Sequence, residues 1–113
     1  MQELTGAAVV ALAEAQSAGA APLVLLDVRE PWEVALAAIA LPTATARFVP
    51  MREIPTRLAE LDPAQPVVCI CHHGARSAQV VAFLERAGFA SAYNLAGGID
   101  AWSRDVDPGV ARY

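Results

Sequence analysis

The sequence predicts an α/β domain with a central, mainly parallel sheet flanked by helices. Short apolar runs at 22–28 and 66–71 have the continuous hydrophobicity of strands that are buried on both faces of a sheet. Stretches with helical spacing alternate with these runs, and the clearest of them is 77–88. In a chain of 113 residues without internal repeats or a long linker, this alternation predicts one domain over residues 1–113.

The first half of the chain contains three predicted helices and two predicted strands. Leu4 begins a run with apolar residues at helical spacing, and Gly19 ends it. Pro31 suits the first turn of the second helix, because its missing N–H needs no partner there. The predicted elements are, in order, a helix over 4–18, a strand over 22–28, a helix over 30–40, a strand over 46–51 and a helix over 52–61.

The second half repeats the alternation. Val80, Val81 and Leu84 lie on one face of a helix that Gly88 ends. The predicted elements are, in order, a strand over 66–71, a helix over 77–88, a strand over 91–95 and a closing helix over 96–102. A polar tail, 103–113, follows, and the sequence leaves its role open.

Composition excludes several classes of function. The apolar fraction of 56% excludes disorder, and no apolar run reaches the roughly 18 residues that a membrane span needs. The net charge of −4 argues against a nucleic-acid partner. All eight basic residues are arginine, which excludes a Schiff-base lysine and a phosphate loop that ends in Lys. The absence of a basic, signal-like start favours a cytoplasmic protein, and the Ala-, Arg- and Pro-rich composition suits a bacterium with a GC-rich genome.

The segment 71–77, CHHGARS, carries the parts of a nucleophilic cysteine. Cys71 ends a predicted strand, Gly74 allows a tight loop, and Arg76 adds a positive charge. The helix from Ser77 directs its N-terminal amides at the loop, where they would favour a thiolate. The alternative is that Cys71 is a small buried hydrophobe, but its position at a strand end favours the nucleophile.

The other sulfur and imidazole groups of this segment favour structural roles. Cys69 lies two residues before Cys71 and faces the same side of the sheet, which predicts a buried core thiol, with a resolving cysteine as the alternative. His72 and His73 are the only histidines, and a zinc site needs two separated ligand pairs. We therefore predict no metal, and expect both histidines to line the mouth of the loop.

At this point the chain resembles single-domain rhodaneses, a family of sulfurtransferases. The resemblance covers about 23–102, and four short motifs in the family's order carry it. These are DVREPWE at 27–33, CHHGARS at 71–77, GF at 88–89 and NLAGGIDAW at 94–102.

The resemblance implies that Cys71 carries a sulfane sulfur as a persulfide. It implies an anionic donor such as thiosulfate, attracted by Arg76, and an acceptor such as cyanide or a thiol, with a protein sulfur donor or acceptor as a further option. No cofactor, nucleic acid or membrane is implied. The implied substrate-binding residues are His72, His73, Gly74, Ala75, Arg76 and Ser77.

Other parts of the family pattern imply supporting roles. Asp27 and Arg29 are expected to brace the chain behind the loop, and Gly97 and Gly98 to let a second loop pack close to the site. One segment departs from the pattern: residues 37–39 read Ala-Ala-Ile, where many members carry Gly-His-Ile.

The spacing between Cys71 and Arg76 separates the candidate chemistries. Four residues lie between them, whereas related phosphatases and arsenate reductases on this fold have five. The shorter loop favours sulfur chemistry over a tetrahedral oxyanion. A carrier that accepts sulfur from a protein partner, with little thiosulfate turnover, is the main alternative to an enzyme; a phosphatase-like or arsenate reductase-like enzyme is less favoured.

Overall fold

One parallel sheet organises the computed structural model, which describes residues 1–19 and 21–113. Its strands are Gln2–Leu4 (β1), Leu23–Asp27 (β2), Ala44–Phe48 (β3), Val67–Ile70 (β4) and Ala92–Leu95 (β5). The order across the sheet is β1-β5-β4-β2-β3, and every pairing is parallel. The predicted α/β class with a mainly parallel sheet is confirmed.

Helices cover both faces of the sheet. They are Gly6–Ser17 (α1), Pro31–Leu36 (α2), Ala75–Arg86 (α3) and Gly98–Asp105 (α4). Side chains of β2 alternate between the two cores: Val24 and Leu26 share a core with α3, whereas Leu23 and Leu25 share one with α1 and α4. Among these described helices, none combines the length and hydropathy required to span a membrane.

The helix predicted over 52–61 is wrong. Two short 3-10 helices, Met51–Glu53 and Leu58–Glu60, occupy this segment instead. The physical reason is Pro55, which has no N–H to bond the carbonyl four residues earlier and whose ring would collide with it. The α-helical ladder therefore cannot form through the middle of the segment.

The chain start also differs from the prediction. Residues Gln2–Leu4 form an edge strand against β5, whereas the helical spacing placed Leu4 inside the first helix. Thr5 then caps α1, because its hydroxyl oxygen accepts a hydrogen bond from the N–H of Ala8 at 3.2 Å. A cap of this kind fixes the point at which the strand becomes a helix.

The connection after α2 is extended rather than helical. The helix ends at Leu36, and Ala37 has extended dihedral angles, so the predicted helix over 30–40 is too long. The carbonyl of Ala37 accepts a hydrogen bond from Arg29 Nη2 at 2.5 Å. This contact holds Ala37, the first residue of the segment that departs from the family pattern, against the buried Arg29.

Candidate active site

The loop between β4 and α3 lies at the carboxyl end of the sheet, where α/β folds place their ligands. Cys71 is the first residue after β4. Gly74 has a φ of 108°, a left-handed conformation that turns the chain into α3. The helix therefore begins at Ala75, two residues before the predicted start, and its free N–H groups face back toward the loop.

Hydrogen-bond donors converge on the sulfur of Cys71. The N–H of Gly74 lies 3.0 Å from Sγ, and the hydroxyl of Ser77 lies 3.2 Å from it. The backbone N–H groups of Arg76 and Ser77 also lower the pKa of the Cys71 thiol. We call these N–H groups and the Ser77 hydroxyl the Cys71 cradle. Cys71 is only 1% exposed, so the sulfur lies at the bottom of the cradle.

The pKa values of the two cysteines move in opposite directions. Burial raises the pKa of the Cys71 thiol, but the Ser77 hydroxyl and the N–H groups of the cradle lower it by more, so that it lies below its ordinary value of 9.0. Burial, with a smaller contribution from Cys71, raises the pKa of Cys69 to about 12. Cys69 is fully buried in the core beside α3, as its spacing predicts.

Asn94 holds the cradle from the neighbouring strand, β5. Its Oδ1 accepts a hydrogen bond from Ser77 Oγ at 2.5 Å, and its Nδ2 donates to the carbonyl of Gly74 at 3.0 Å. The same Nδ2 donates to the carboxylate of Glu3 at 3.0 Å. Asn94 is fully buried, so these bonds hold the start of α3 against β5.

The start of α4 closes over the other side of the loop. The N–H of Ile99 donates to the carbonyl of Cys71 at 2.9 Å, and the N–H of Asp100 donates to the carbonyl of His72 at 3.1 Å. Gly98, with a φ of 62°, allows this approach, because a Cβ there would lie 2.5 Å from the Cys71 carbonyl oxygen. The close packing expected of Gly98 is present.

Arg76 forms a bidentate ion pair with Glu33 at the start of α2. Nη1 lies 2.6 Å from Oε1 and Nη2 lies 2.9 Å from Oε2. The Arg76 side chain is 36% exposed, whereas that of Glu33 is 4% exposed. The hydrogen bonds from Arg76 lower the pKa of Glu33 to about 2 against the opposing effect of burial. Both groups are therefore charged at neutral pH.

Tyr113, from the tail, completes the wall beside this ion pair. Its hydroxyl donates to Glu33 Oε2 at 2.7 Å and accepts a hydrogen bond from Arg29 Nη1 at 2.9 Å. Arg29 is fully buried and also binds the Asp27 carboxylate at 2.7 Å. Asp27 and Arg29 thus brace the α2 segment and the tail.

The two histidines lie at the mouth of the loop. His73 is exposed, His72 is half-buried, and their rings stack with centroids 4.0 Å apart. The ring of Tyr113 stacks on the opposite face of His72 at 4.0 Å. Within residues 1–19 and 21–113, no three His, Cys, Asp or Glu side chains are placed to hold a metal ion.

Comparison with known proteins identifies the architecture that holds this cradle. Residues 9–105 match the family described as the rhodanese-like domain. The chain belongs to the rhodanese-like domain family. It is 40% identical over 89 residues to a protein named sulfurtransferase from Allochromatium vinosum, and the match covers 79% of each chain. The crystal structure of a rhodanese-like domain protein from Staphylococcus aureus superposes with a TM-score of 0.75 at 30% identity, covering 100% of this chain and 99% of that one.

Some relatives of this rhodanese-like domain are much longer. The chain is 37% identical over 93 residues to the Arabidopsis thaliana rhodanese-like/PpiC domain-containing protein 12, chloroplastic. The match covers 79% of this chain but only 30% of that relative. The rhodanese-like unit is therefore found both in short chains and as a part of larger proteins.

Among the predicted loop residues of the rhodanese-like domain, Gly74 and Ser77 bond the sulfur of Cys71, whereas His73 and Ala75 are exposed to solvent. Three residues that the sequence did not assign also contact the loop or its arginine. These are Asn94, Glu33 and Tyr113. A polar Asn94 within an apolar strand was a usable signal, and so was the acidic end of the motif 27–33. Tyr113 lies beyond the segment that matches the family, so no motif indicated its contact with the site.

Proposed function

We propose that this rhodanese-like domain is a sulfurtransferase in which Cys71 carries the sulfur as a persulfide. The observation that supports this most is the cradle itself, with the N–H of Gly74 and the hydroxyl of Ser77 within hydrogen-bond distance of Sγ. Such donors stabilise a thiolate, which is the nucleophilic form, and equally an anionic persulfide. We expect a donor to bind among the loop residues His72 to Ser77.

The proposed sulfur transfer can be described with thiosulfate as the donor. The Cys71 thiolate attacks the outer sulfur of thiosulfate, and the S–S bond of the donor breaks as sulfite leaves with the bonding electrons. The product is the Cys71 persulfide anion. Cyanide or a thiolate then attacks the terminal sulfur, which gives thiocyanate or a new persulfide and restores the Cys71 thiolate.

Intact-protein mass spectrometry after incubation with thiosulfate tests the proposal. We expect the native chain to gain the mass of one sulfur atom and to lose it on addition of cyanide. The matched variants are Cys71→Ser, which should gain nothing, and Cys69→Ala, which should gain one sulfur as the native chain does. Sulfur on the Cys71→Ser variant, or none on the native chain with any donor, would contradict the proposal.

A second candidate function is a persulfide carrier that is loaded by a protein partner. An exposed aromatic side chain beside the site favours it: Trp32 is 63% exposed, and its ring lies edge-on to Tyr113 with centroids 6.2 Å apart. Aromatic side chains are enriched in protein interfaces. A carrier would load faster from a protein persulfide than from thiosulfate, and Trp32→Ala would slow only the loading from protein.

A phosphatase-like or arsenate reductase-like reaction has less support. Such chemistry requires a guanidinium whose positive charge is available to the equatorial oxygens of a tetrahedral oxyanion, and the bidentate pair with Glu33 compensates the charge of Arg76. Assays with an aryl phosphate and with arsenate test this directly. Turnover of either by the native chain, lost in Cys71→Ser, would revive that alternative.

A further inference from the structure

The charge of the loop arginine is compensated within the protein. Glu33 accepts hydrogen bonds from both terminal nitrogens of Arg76, at 2.6 and 2.9 Å. An anionic donor that approaches Cys71 therefore meets a neutral ion pair instead of a free guanidinium. Because Coulomb attraction depends on net charge, this pairing removes most of the attraction that a lone arginine would provide.

Glu33 is held in this position and cannot readily turn away. Its Oε1 accepts a hydrogen bond from the N–H of Glu30 at 3.1 Å, and its Oε2 accepts one from the Tyr113 hydroxyl at 2.7 Å. The side chain is 4% exposed, so a rotation into solvent would break four hydrogen bonds and leave a cavity. The ion pair is thus a fixed part of the site wall.

The other arginines around the loop are also paired. The ion pairs are Arg29 with Asp27, Arg52 with Glu30, and Arg112 with Asp100. Asp100 is the residue whose N–H binds the His72 carbonyl, and Arg52 lines the same surface depression as Arg76. These paired arginines therefore offer little uncompensated positive charge to a dianion such as thiosulfate.

We propose that Glu33 is a specificity-determining residue which, by neutralising Arg76, makes the Cys71 site favour sulfur donors with one negative charge over donors with two. This inference rests on the proposed sulfur transfer to Cys71. It names the class of donor: sulfane-sulfur compounds of low charge.

Two small donors isolate the effect of charge. Methanethiosulfonate has a methyl group where thiosulfate has one of its oxygens, and it carries one negative charge instead of two. The Cys71 thiolate attacks the outer sulfur of either, and the leaving group is methanesulfinate from the first and sulfite from the second. Both reactions give the same Cys71 persulfide anion, so only the charge and shape of the donor differ.

The experiment compares kcat/KM for the two donors, with cyanide as the acceptor, in the native chain and in Glu33→Gln. We expect the ratio of thiosulfate to methanethiosulfonate to rise about tenfold in Glu33→Gln, the size of effect that one unit charge has several Å away in a partly solvated site. The gain should shrink as ionic strength rises. Because both donors are measured on one preparation, the ratio does not depend on the folded fraction.

Two further variants control the result. Glu60→Gln removes the same charge beside Val67, at the amino end of β4 and away from Cys71, and should leave the ratio unchanged. The double variant Glu33→Gln/Arg76→Gln replaces the ion pair by a neutral pair and should return the ratio to the native value. If Arg76 itself bound the donor in the native protein, the ratio would instead fall below the native value in the double variant.

The outcomes separate this inference from the proposed function. Loading of Cys71 by both donors, with the same ratio in native and Glu33→Gln chains, would overturn the inference alone. An equal rise in Glu60→Gln would overturn it too, since the effect would then belong to total charge. Failure of both donors to load native Cys71 would overturn the proposed function and this inference together.

Discussion

Cys69 and Cys71 are two residues apart and face the same core, yet they have opposite chemistry. Both are at most 1% exposed, so exposure does not distinguish them. The pKa of Cys69 rises to about 12 because of burial, whereas the pKa of Cys71 falls below 9.0 despite burial. The difference lies in the hydrogen-bond donors around each sulfur.

The backbone explains which sulfur finds donors. Cys69 lies inside β4, paired with Leu26 on one side and Asn94 on the other, so the N–H groups around it are used in the sheet. Cys71 lies where the chain leaves the sheet, and the N–H groups of the loop and of α3 turn toward its sulfur. A shift of two residues along the chain thus changes a core thiol into a candidate nucleophile.

The largest predicted effect comes from disturbing the loop through Gly98→Ala. A Cβ at Gly98 would overlap the carbonyls of Cys71 and His72, and the residue has a left-handed φ. Strain and overlap together should lower the free energy of unfolding by about 3 kcal/mol or more. If the loop geometry causes the difference between the two cysteines, the pKa of Cys71 should rise toward 9.0 in this variant, whereas the pKa of Cys69 should stay unchanged.

Gly88→Ala is the matched control for that variant. Gly88 has a φ of 97°, but no atom lies within 4 Å of the position of its Cβ, so the variant carries backbone strain alone, about 1 kcal/mol. Urea unfolding measures the free energy of unfolding of both variants, and thiolate absorbance measures the ionisation of their cysteines. An equal loss of stability in the two variants would show that the close contact of Gly98 with the loop adds nothing to the cost of the substitution.

A somewhat smaller effect is predicted for the reactivity of the two thiols in the native chain. At pH 8 a far larger fraction of Cys71 than of Cys69 is thiolate, because the cradle lowers the pKa of Cys71 below 9.0 whereas burial raises the pKa of Cys69 to about 12. Iodoacetamide labelling, followed by peptide mass spectrometry, should show that Cys71 reacts at least about tenfold faster, since the greater intrinsic nucleophilicity of the more basic thiolate offsets only part of this difference.

Labelling in denaturant is the control for this prediction. Once the chain is unfolded, the cradle and the core are both lost, so the two cysteines should react at nearly equal rates. Equal rates in the folded protein would contradict the assignment of a lowered pKa to Cys71. A labelling rate for Cys71 that reaches its pH midpoint only at or above the ordinary value of 9.0 would contradict it as well.

The same comparison shows how far the sequence could predict the site. The strand run that ends at Cys71, followed by Gly74 and a helix, is a local pattern, so the loop and its nucleophile follow from nearby residues. The common direction of Cys69 and Cys71 also follows, because strand side chains alternate.

The rest of the site depends on contacts between distant parts of the chain. Asn94 reaches the loop from β5, Glu33 reaches it from α2, and Tyr113 folds back across both from the tail. No local spacing encodes these meetings. The ion pair that joins Arg76 to Glu33 is a contact of the same kind. The broken helix around Pro55, by contrast, follows from a local rule, because a proline inside a helix interrupts its hydrogen bonds.

The smallest predicted effect is that of Ser77→Ala, which removes one hydrogen-bond donor from the Cys71 cradle. A hydrogen bond to a charged group contributes about 1.5–3 kcal/mol, which would correspond to one or two pKa units. The hydroxyl of Ser77 is shared with Asn94 Oδ1, so we expect the lower figure: the pKa of Cys71 should rise by about one unit. The pH midpoint of persulfide loading should move up by the same amount.

Ser103→Ala is the matched control, since Ser103 is also a buried serine but bonds the carbonyl of Ile99 in α4. If both variants left the midpoint of Cys71 in place, the N–H groups of the cradle alone would account for its contrast with Cys69.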